Sequence, residues 1–95
     1  MKMPKEIYDI RELIDAIDSS LLKLLNVRSS LALKIGALKK AYNLAVYDPE
    51  REKQIIERLI SENNGPLDSH AVVRLFERII DEARRLERLK AKGDE

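Results

Sequence analysis

Residues 7–42, IYDIRELIDAIDSSLLKLLNVRSSLALKIGALKKAY, decide the fold of this 95-residue chain. Their apolar residues recur at alternating intervals of three and four: Ile7, Ile10, Ile14, Ile17, Leu21, Leu24, Leu31, Ile35, Leu38 and Tyr42. That spacing is one face of an α-helix, and such a face packs against a core. One position of the stripe holds a cation, Arg28. An arginine there needs an anionic partner, because a lone buried charge is very costly.

A second cation continues this face. Lys39 follows Arg28 by eleven residues, which is three helical turns plus about 20°, so both side chains point the same way. Two cations facing inward along one groove predict a site for a small dianion. Arg11 lies about 25 Å from Arg28 along the helix axis and about 100° around it. It cannot reach the same ligand from the same chain, but in an antiparallel dimer it could reach the site of the other chain.

The predicted first helix, from about Lys5 to about Tyr42, is longer than the rest of the chain can cover. Its length is about 57 Å, whereas a compact monomer of this size has a radius of gyration near 12 Å. A partner chain must cover the remainder, so we expect an intertwined homodimer. Gly36 interrupts the helix at a cost of roughly 1 kcal/mol against Ala. Tight helix packing and room for a ligand would both explain it.

Two further helices are predicted. Asp48-Pro49-Glu50 is typical of a helix start, with Asp48 as N-cap and Pro49 as the first helical residue, and this helix runs to about Glu62. Asn63-Asn64-Gly65-Pro66 predicts a helix stop and a turn.

The third helix begins after Asp68 as its cap and runs to about Ala91, and Gly93-Asp94-Glu95 is expected to be a frayed tail. Its apolar stripe includes Leu75 and Ile80. The fold class is therefore all-α: one domain over residues 1–95, with three helices per chain, one of them very long, in an intertwined helical-bundle homodimer.

Composition excludes several classes of function. The net charge of +1 gives no bulk attraction for nucleic acid, and aromatic residues at 4% are too few for base stacking. The chain has no cysteine and a single histidine, His70, and it carries no metal-binding or cofactor motif. No apolar run reaches the length of a membrane span, and no signal sequence is visible. We expect a cytoplasmic protein without metal, cofactor, membrane or nucleic-acid partner.

The remaining charged candidates lie beside the apolar stripes. Glu52 and Glu87 fall on or near the inward faces of their helices, and Arg51 lies at the third position of its helix, where the helix dipole disfavours a cation. Alternatives stay open: an ion pair of Arg28 with either carboxylate, or carboxylates that face solvent. Lys39 could extend to solvent from its helix end. A final group is expected to be solvated: Arg84, Arg85, Arg88, Lys90 and Lys92.

No nucleophile–base pair is evident. Cations with a few hydrogen-bonding groups suit electrostatic stabilisation and conformational restraint of a bound anion. The residues alone predict an all-helical dimer with a dianion site and do not name the substrate.

Five motifs together resemble a known family. They are Ile10-Arg11-Glu12-Leu13-Ile14-Asp15-x-Ile17-Asp18, Leu24-Leu25-Asn26-Val27-Arg28, Ile35-Gly36-x-x-Lys39, Asp48-Pro49-Glu50-Arg51-Glu52, and Phe76-x-x-Ile79-Ile80 with Ala83 and Glu87. This set resembles the all-helical (AroQ) chorismate mutases over nearly the whole chain. The resemblance implies the cofactor-free rearrangement of chorismate, a dicarboxylate, to prephenate in the biosynthesis of phenylalanine and tyrosine.

The resemblance also implies a role for each site residue. Arg28 and the partner's Arg11 would bind carboxylates, with Arg51 ordering the carboxylate end. Lys39 would bind a carboxylate and the ether oxygen, where negative charge grows. The ring hydroxyl would be held by Glu52 and the backbone at Asp48. The apolar walls that favour the chair-like conformer would be Ile35 and Ile80.

Two positions depart from the family pattern, which often has Ser at position 83 and Gln at position 87. Ala83 offers no side-chain hydrogen bond. Glu87 can donate to the ether oxygen only when it is protonated; burial raises its pKa and Lys39 lowers it. We therefore expect Glu87 to act as a neutral acid and kcat/KM to fall at alkaline pH.

Two other functions remain as alternatives. An isochorismate pyruvate-lyase shares this scaffold, although the acid Asp48 before Pro-Glu-Arg favours the mutase. A non-enzymatic helical dimerisation module would use its inward charges as interchain ion pairs.

Overall fold

The computed structural model describes residues 2–93, which form three α-helices and no strand. The helices are α1 (Lys5–Ala41), α2 (Pro49–Glu62) and α3 (Ser69–Gly93). The predicted all-α class and the three elements are confirmed, with ends within one or two residues. The frayed tail was wrong for Gly93, which belongs to α3, while Asp94 and Glu95 lie outside the described residues.

Helix α1 ends in a Schellman motif that turns the chain towards α2. Asn43 has a positive φ of 56°, in the left-handed region that asparagine tolerates. Its N–H donates to the carbonyl of Lys40 at 3.2 Å, and the N–H of Leu44 donates to the carbonyl of Lys39 at 2.8 Å. These bonds satisfy the last helical carbonyls, which explains why the helix ends at Ala41 with Tyr42 as cap.

Aspartates cap both shorter helices, as the sequence predicts. A carboxylate oxygen of Asp48 accepts from the N–H of Arg51 at 3.1 Å, and one of Asp68 accepts from the N–H of Ala71 at 2.8 Å. Between these helices, Gly65 adopts a φ of 78°, and its N–H donates to the Asn63 side chain at 3.1 Å. The stop-and-turn reading of this segment is confirmed.

Helix α3 holds the fold together because it packs against both of the other helices, while no Cα of α1 comes within 8 Å of a Cα of α2 in the described chain. The core is small. Its buried apolar residues are Ile55, Val72, Ile80 and Ala83. The molecule is 61 Å long with a radius of gyration of 17.7 Å, well above the value of about 12 Å for a compact chain of this size.

Most of the apolar stripe of α1 is not covered by its own chain. No residue of this helix is buried, and every residue from 4 to 24 is exposed. The exposed fractions of the large stripe residues between Ile7 and Leu24 run from 38% to 66%. Leu75, expected on the inward face of α3, is also exposed. The inference that α1 exceeds the reach of the chain therefore agrees with the geometry.

None of the helices within residues 2–93 has both the length and the apolar character needed to cross a membrane.

The cap of α3 provides a stability test away from the charged groups. Replacing Asp68 by Ala removes the acceptor for the Ala71 N–H, so the free energy of unfolding should fall by about 1 kcal/mol. The control Asp68→Asn keeps an acceptor and should lose much less. Urea titrations at equal protein concentration measure both; equal stability of the Ala and Asn variants would contradict the capping role.

Candidate functional site

A cavity of about 240 Å³ lies where α1, α2, α3 and the loop after α1 converge. Its lining mixes aliphatic and charged side chains: Arg28, Leu31, Ala32, Ile35, Lys39, Val46, Asp48, Arg51, Glu52, Ile55, Ile80, Ala83, Arg84 and Glu87. The charged groups number four cations and three carboxylates. With all of them ionised the lining has a charge of +1, and protonation of one carboxylate makes it +2.

Nine of the ten site residues expected from the sequence line this one cavity. The tenth, Arg11, does not line it and is exposed on the uncovered half of α1. Within one chain, the geometry of a helix requires Arg11 to lie far from the cavity that Arg28 lines.

Arg28 extends from α1 into the cavity lining and is half-buried rather than buried. Within residues 2–93 it forms no hydrogen bond or ion pair, so the alternative pairing with Glu52 or Glu87 does not occur there. A half-buried guanidinium without an internal anion retains its donors for an external carboxylate.

Lys39 lies in the last turn of α1, on the same helical face as Arg28. Its ammonium donates to the carbonyl of Val46 at 3.2 Å, which ties the loop to the helix beneath it. Lys39 is half-buried while this hydrogen bond is exposed, which agrees with a packed aliphatic stem and an ammonium near solvent, so the alternative in which it extends to solvent stays open.

The first turn of α2 forms another wall. Asp48 accepts from the backbone N–H of Arg51 through its side chain and from that of Glu52 through its carbonyl, at 3.1 and 3.2 Å. These bonds fix the backbone at the start of α2, which sets the directions in which the side chains of Arg51 and Glu52 extend. Arg51 is exposed at the rim, whereas the side chain of Glu52 is only 26% exposed.

The sequence-based assignment of Arg84 as a solvated cation was wrong. Its Nη1 lies 3.4 Å from Oε2 of Glu52, its Nη2 lies 2.6 Å from Oδ1 of Asp81, and its guanidinium carbon lies 5.3 Å from the ring centroid of Tyr47. One signal could have found it: Arg84 follows the buried Ile80 by four residues, which is one turn along the same face.

The side chain of Glu87 on α3 packs against α1 at Gly36. A Cβ at Gly36 would lie 3.4 Å from Cγ and 3.5 Å from Cδ of Glu87. These are ordinary van der Waals distances to a side chain, and Gly36 and Glu87 also line a second cavity of about 650 Å³, so both explanations given by the sequence stay open. The contact also shields the Glu87 side chain on one side.

Loss of solvent raises the pKa of Glu87 above its ordinary value, while the charges of Lys39 and Arg84 oppose the shift. The direction matches the sequence-based expectation for this residue. A carboxyl with a raised pKa stays protonated to higher pH than a free glutamate, and in that form it is a hydrogen-bond donor.

Aliphatic side chains close the rest of the cavity. Ile80 and Ala83 of α3 are buried, while Ile35 of α1 is 54% exposed. The sequence did not single out four further lining residues: Leu31, Ala32, Val46 and Ile55. Cations, a carboxyl of raised pKa and apolar walls suit a dianion with an apolar body, held in one conformation while charge moves within it.

Comparison with known proteins supports this chemistry. A family model described as chorismate mutase type II matches residues 10–88. The chain belongs to this family. The resemblance suggested by the five sequence motifs is thereby confirmed, since the match over residues 10–88 contains all of the motif residues from Ile10 to Glu87.

Named relatives and solved structures agree with this family. The chorismate mutase of Methanocaldococcus jannaschii is 34% identical over 89 residues, covering 90% of this chain and 88% of that protein. The chorismate mutase of Helicobacter pylori, solved in complex with prephenate, is 27% identical with a TM-score of 0.86, covering 94% of this chain and 97% of that one.

Other chorismate mutase relatives are longer. The bifunctional chorismate mutase/prephenate dehydratase of Aquifex aeolicus is 36% identical over 88 residues, a match that covers 88% of this chain and 24% of that protein. The chain thus spans about a quarter of such a two-activity relative.

Proposed function

We propose that this chain is a chorismate mutase, which rearranges chorismate to prephenate. In this reaction the ether C–O bond breaks while a C–C bond forms within the same molecule, so atoms and electrons balance without a co-reactant. The observation that carries the proposal is the shared cavity of Arg28, Lys39 and Glu87. It offers two cations to a dicarboxylate and a carboxyl of raised pKa to an oxygen that gains negative charge.

The carboxylates of the substrate bind to the cations. Arg28 has its donors unused by the described residues, so it binds one carboxylate, and Arg51 orders the same end from the rim. Lys39 exchanges the Val46 carbonyl for a carboxylate oxygen and the ether oxygen. Charge-assisted hydrogen bonds to the developing negative charge stabilise the transition state more than the ground state.

Hydrogen bonding and shape select the reactive conformer. Protonated Glu87 donates to the ether oxygen, and the ring hydroxyl binds Glu52 and the backbone at Asp48. The walls formed by Ile35 and Ile80 restrict the substrate to its compact chair, which brings the two reacting carbons together. Ala83 contributes shape only, because its side chain has no donor.

The assembly part of the proposal is a homodimer in which Arg11 reaches the partner's cavity. The exposed stripe on residues 7–24 supports it, since an uncovered apolar face of this length favours burial against a second copy. In an antiparallel pairing, the N-terminal half of one α1 lies over the cavity of the other chain and brings Arg11 to it. We further propose that residues 1–95 act as one catalytic unit in the cytoplasm.

Loss of chorismate ultraviolet absorbance, with prephenate identified as product, tests the function. We expect turnover by the wild type, and a fall of about 10²-fold or more in Arg28→Leu, because preorganised charge is removed. The matched control Lys23→Leu removes a charge from an exposed position of the same helix and should stay within about twofold.

Circular dichroism and the oligomeric state should match the wild type in both variants. A folded wild type that does not convert chorismate would overturn the mutase; turnover of isochorismate would then favour the lyase. Full retention of turnover by Arg28→Leu would remove Arg28 from the site.

The pH profile tests Glu87. Because its pKa is raised and the acid form is the donor, kcat/KM should be highest below that pKa and fall as pH rises through it. Glu87→Gln keeps a donor at every pH, so its profile should be flat where the wild type declines. An equal alkaline decline in Glu87→Gln would assign the titration to another group.

Mixed dimers test the supply of Arg11 from the partner. Two inactive variants, Arg11→Ala and Arg28→Leu, are co-expressed with different affinity tags, and the mixed dimer is purified through both. If Arg11 acts on the partner's site, one of two sites is intact, and turnover per dimer should be about half that of the wild type. If Arg11 acts within its own chain, both sites are damaged and the mixed dimer stays inactive.

A further inference from the structure

Arg84 connects three parts of the fold at the edge of the cavity. It lies on α3, contacts Glu52 of α2 at 3.4 Å and Asp81 one turn back at 2.6 Å, and faces the ring of Tyr47 in the loop at 5.3 Å. Its side chain is 33% exposed. Contacts from three sides limit the freedom of the guanidinium, and its ion pair favours one orientation of the Glu52 carboxylate.

The geometry of the two ion pairs uses the fork of the guanidinium. Nη1 faces Oε2 of Glu52, and Nη2 faces Oδ1 of Asp81. Two nitrogens fixed in one plane can hold two carboxylates at once, whereas the single ammonium of a lysine holds them less directionally. Asp81 and Tyr47 therefore anchor Arg84, and Arg84 in turn directs Glu52.

This contact matters because Glu52 shares its cavity with a site for a dianion. A carboxylate near a dianionic ligand is repelled unless a cation compensates it. Arg84 supplies that charge from the side, at Oε2, and within residues 2–93 the other oxygen, Oε1, has no hydrogen-bond partner. Oε1 is thus available to accept a hydrogen bond from a hydroxyl group in the cavity.

We propose that Arg84 is a positioning residue: its guanidinium, anchored by Asp81 and Tyr47, holds Glu52 in the orientation that accepts the ring hydroxyl of the substrate. The proposal rests on the proposed mutase function. In this proposal Arg84 acts through Glu52, while the substrate carboxylates bind Arg28 and Lys39.

The test compares Arg84→Gln, Arg84→Lys and the matched control Arg85→Gln by steady-state kinetics. Without this ion pair the bond between the ring hydroxyl and the Glu52 carboxylate is poorly oriented, and loss of a hydrogen bond to a charged group should lower kcat/KM by about tenfold in Arg84→Gln. Arg84→Lys should recover part of the loss. Arg85 is the neighbouring cation, 59% exposed, whose pair with Glu82 spans 3.8 Å. Its substitution makes the same charge change and should stay within about twofold.

The assays are run on the acidic plateau of the pH profile. The charge of Arg84 lowers the pKa of Glu87, so removing it would shift the profile. On the plateau Glu87 is protonated in every variant, and this indirect effect does not contribute.

A double-mutant cycle separates positioning from general stability. If Arg84 acts through Glu52, Arg84→Gln should cause no further loss in a Glu52→Gln background. Equal losses in both backgrounds, or an unchanged kcat/KM in Arg84→Gln, would overturn the proposal.

Asp81→Asn provides a milder second variant should Arg84→Gln not fold. It removes an anchor of Arg84 at an exposed position outside the cavity lining. A smaller fall in kcat/KM that also disappears in the Glu52→Gln background is expected, and a fall that persists there would contradict positioning.

The wild-type assay separates failure of the mutase function from failure of the role of Arg84. No turnover by the wild type overturns the mutase function and this proposal together. An active wild type with unchanged variants overturns only the role of Arg84.

Discussion

The packing of α3 against the C-terminal half of α1 is the contact on which the cavity depends. Helix α1 has 37 residues, and α3 covers only the part that carries Arg28, Gly36 and Lys39. Glu87 enters the site from α3, where its side chain packs against Gly36 of α1. The four buried apolar residues form a small core, so the proposed pairing of the exposed stripe with a second copy would add apolar burial that a chain of this size needs.

The electrostatics of the cavity also follow from the packing of α3 against α1. Lys39, one of the cations that suit a dianion, and Arg84 both oppose the rise in the pKa of Glu87 that loss of solvent produces. Ligand binding and protonation are therefore coupled: a bound dianion offsets these cations and favours the protonated carboxyl. The site binds a proton and a dianion more readily together than separately, as linkage requires.

Sequence patterns predicted the features that depend on local chemistry. The three-four spacing predicted α1, and the cap at Asp48 predicted the start of α2, because both act within one or two helical turns. Helical spacing also placed Arg28 and Lys39 on one face. The resemblance then placed Asp48, Arg51 and Glu52 in the same site as these two cations. Spacing within one helix does not predict which residues of another helix lie nearby.

Features that depend on contacts between helices were harder to predict. Arg84 looked like one of several cations near a helix end, and its partners Glu52 and Tyr47 become neighbours only through the path of the chain. The neighbour of Gly36 across the helices, Glu87, likewise could not be read from spacing within one helix. The role of Arg11 depends on a second chain and stays a prediction.

The short connection between α1 and α2 has a consequence for how the chain tolerates change in length. Its ends are fixed by the Schellman bonds at Asn43 and Leu44 and by the cap at Asp48, and Val46 in between is part of the cavity wall. An insertion here would move that wall and disorder it, although loop closure alone adds little cost. The turn at residues 63–68 contributes nothing to the cavity lining, so extra residues accumulate there at far lower cost to the site.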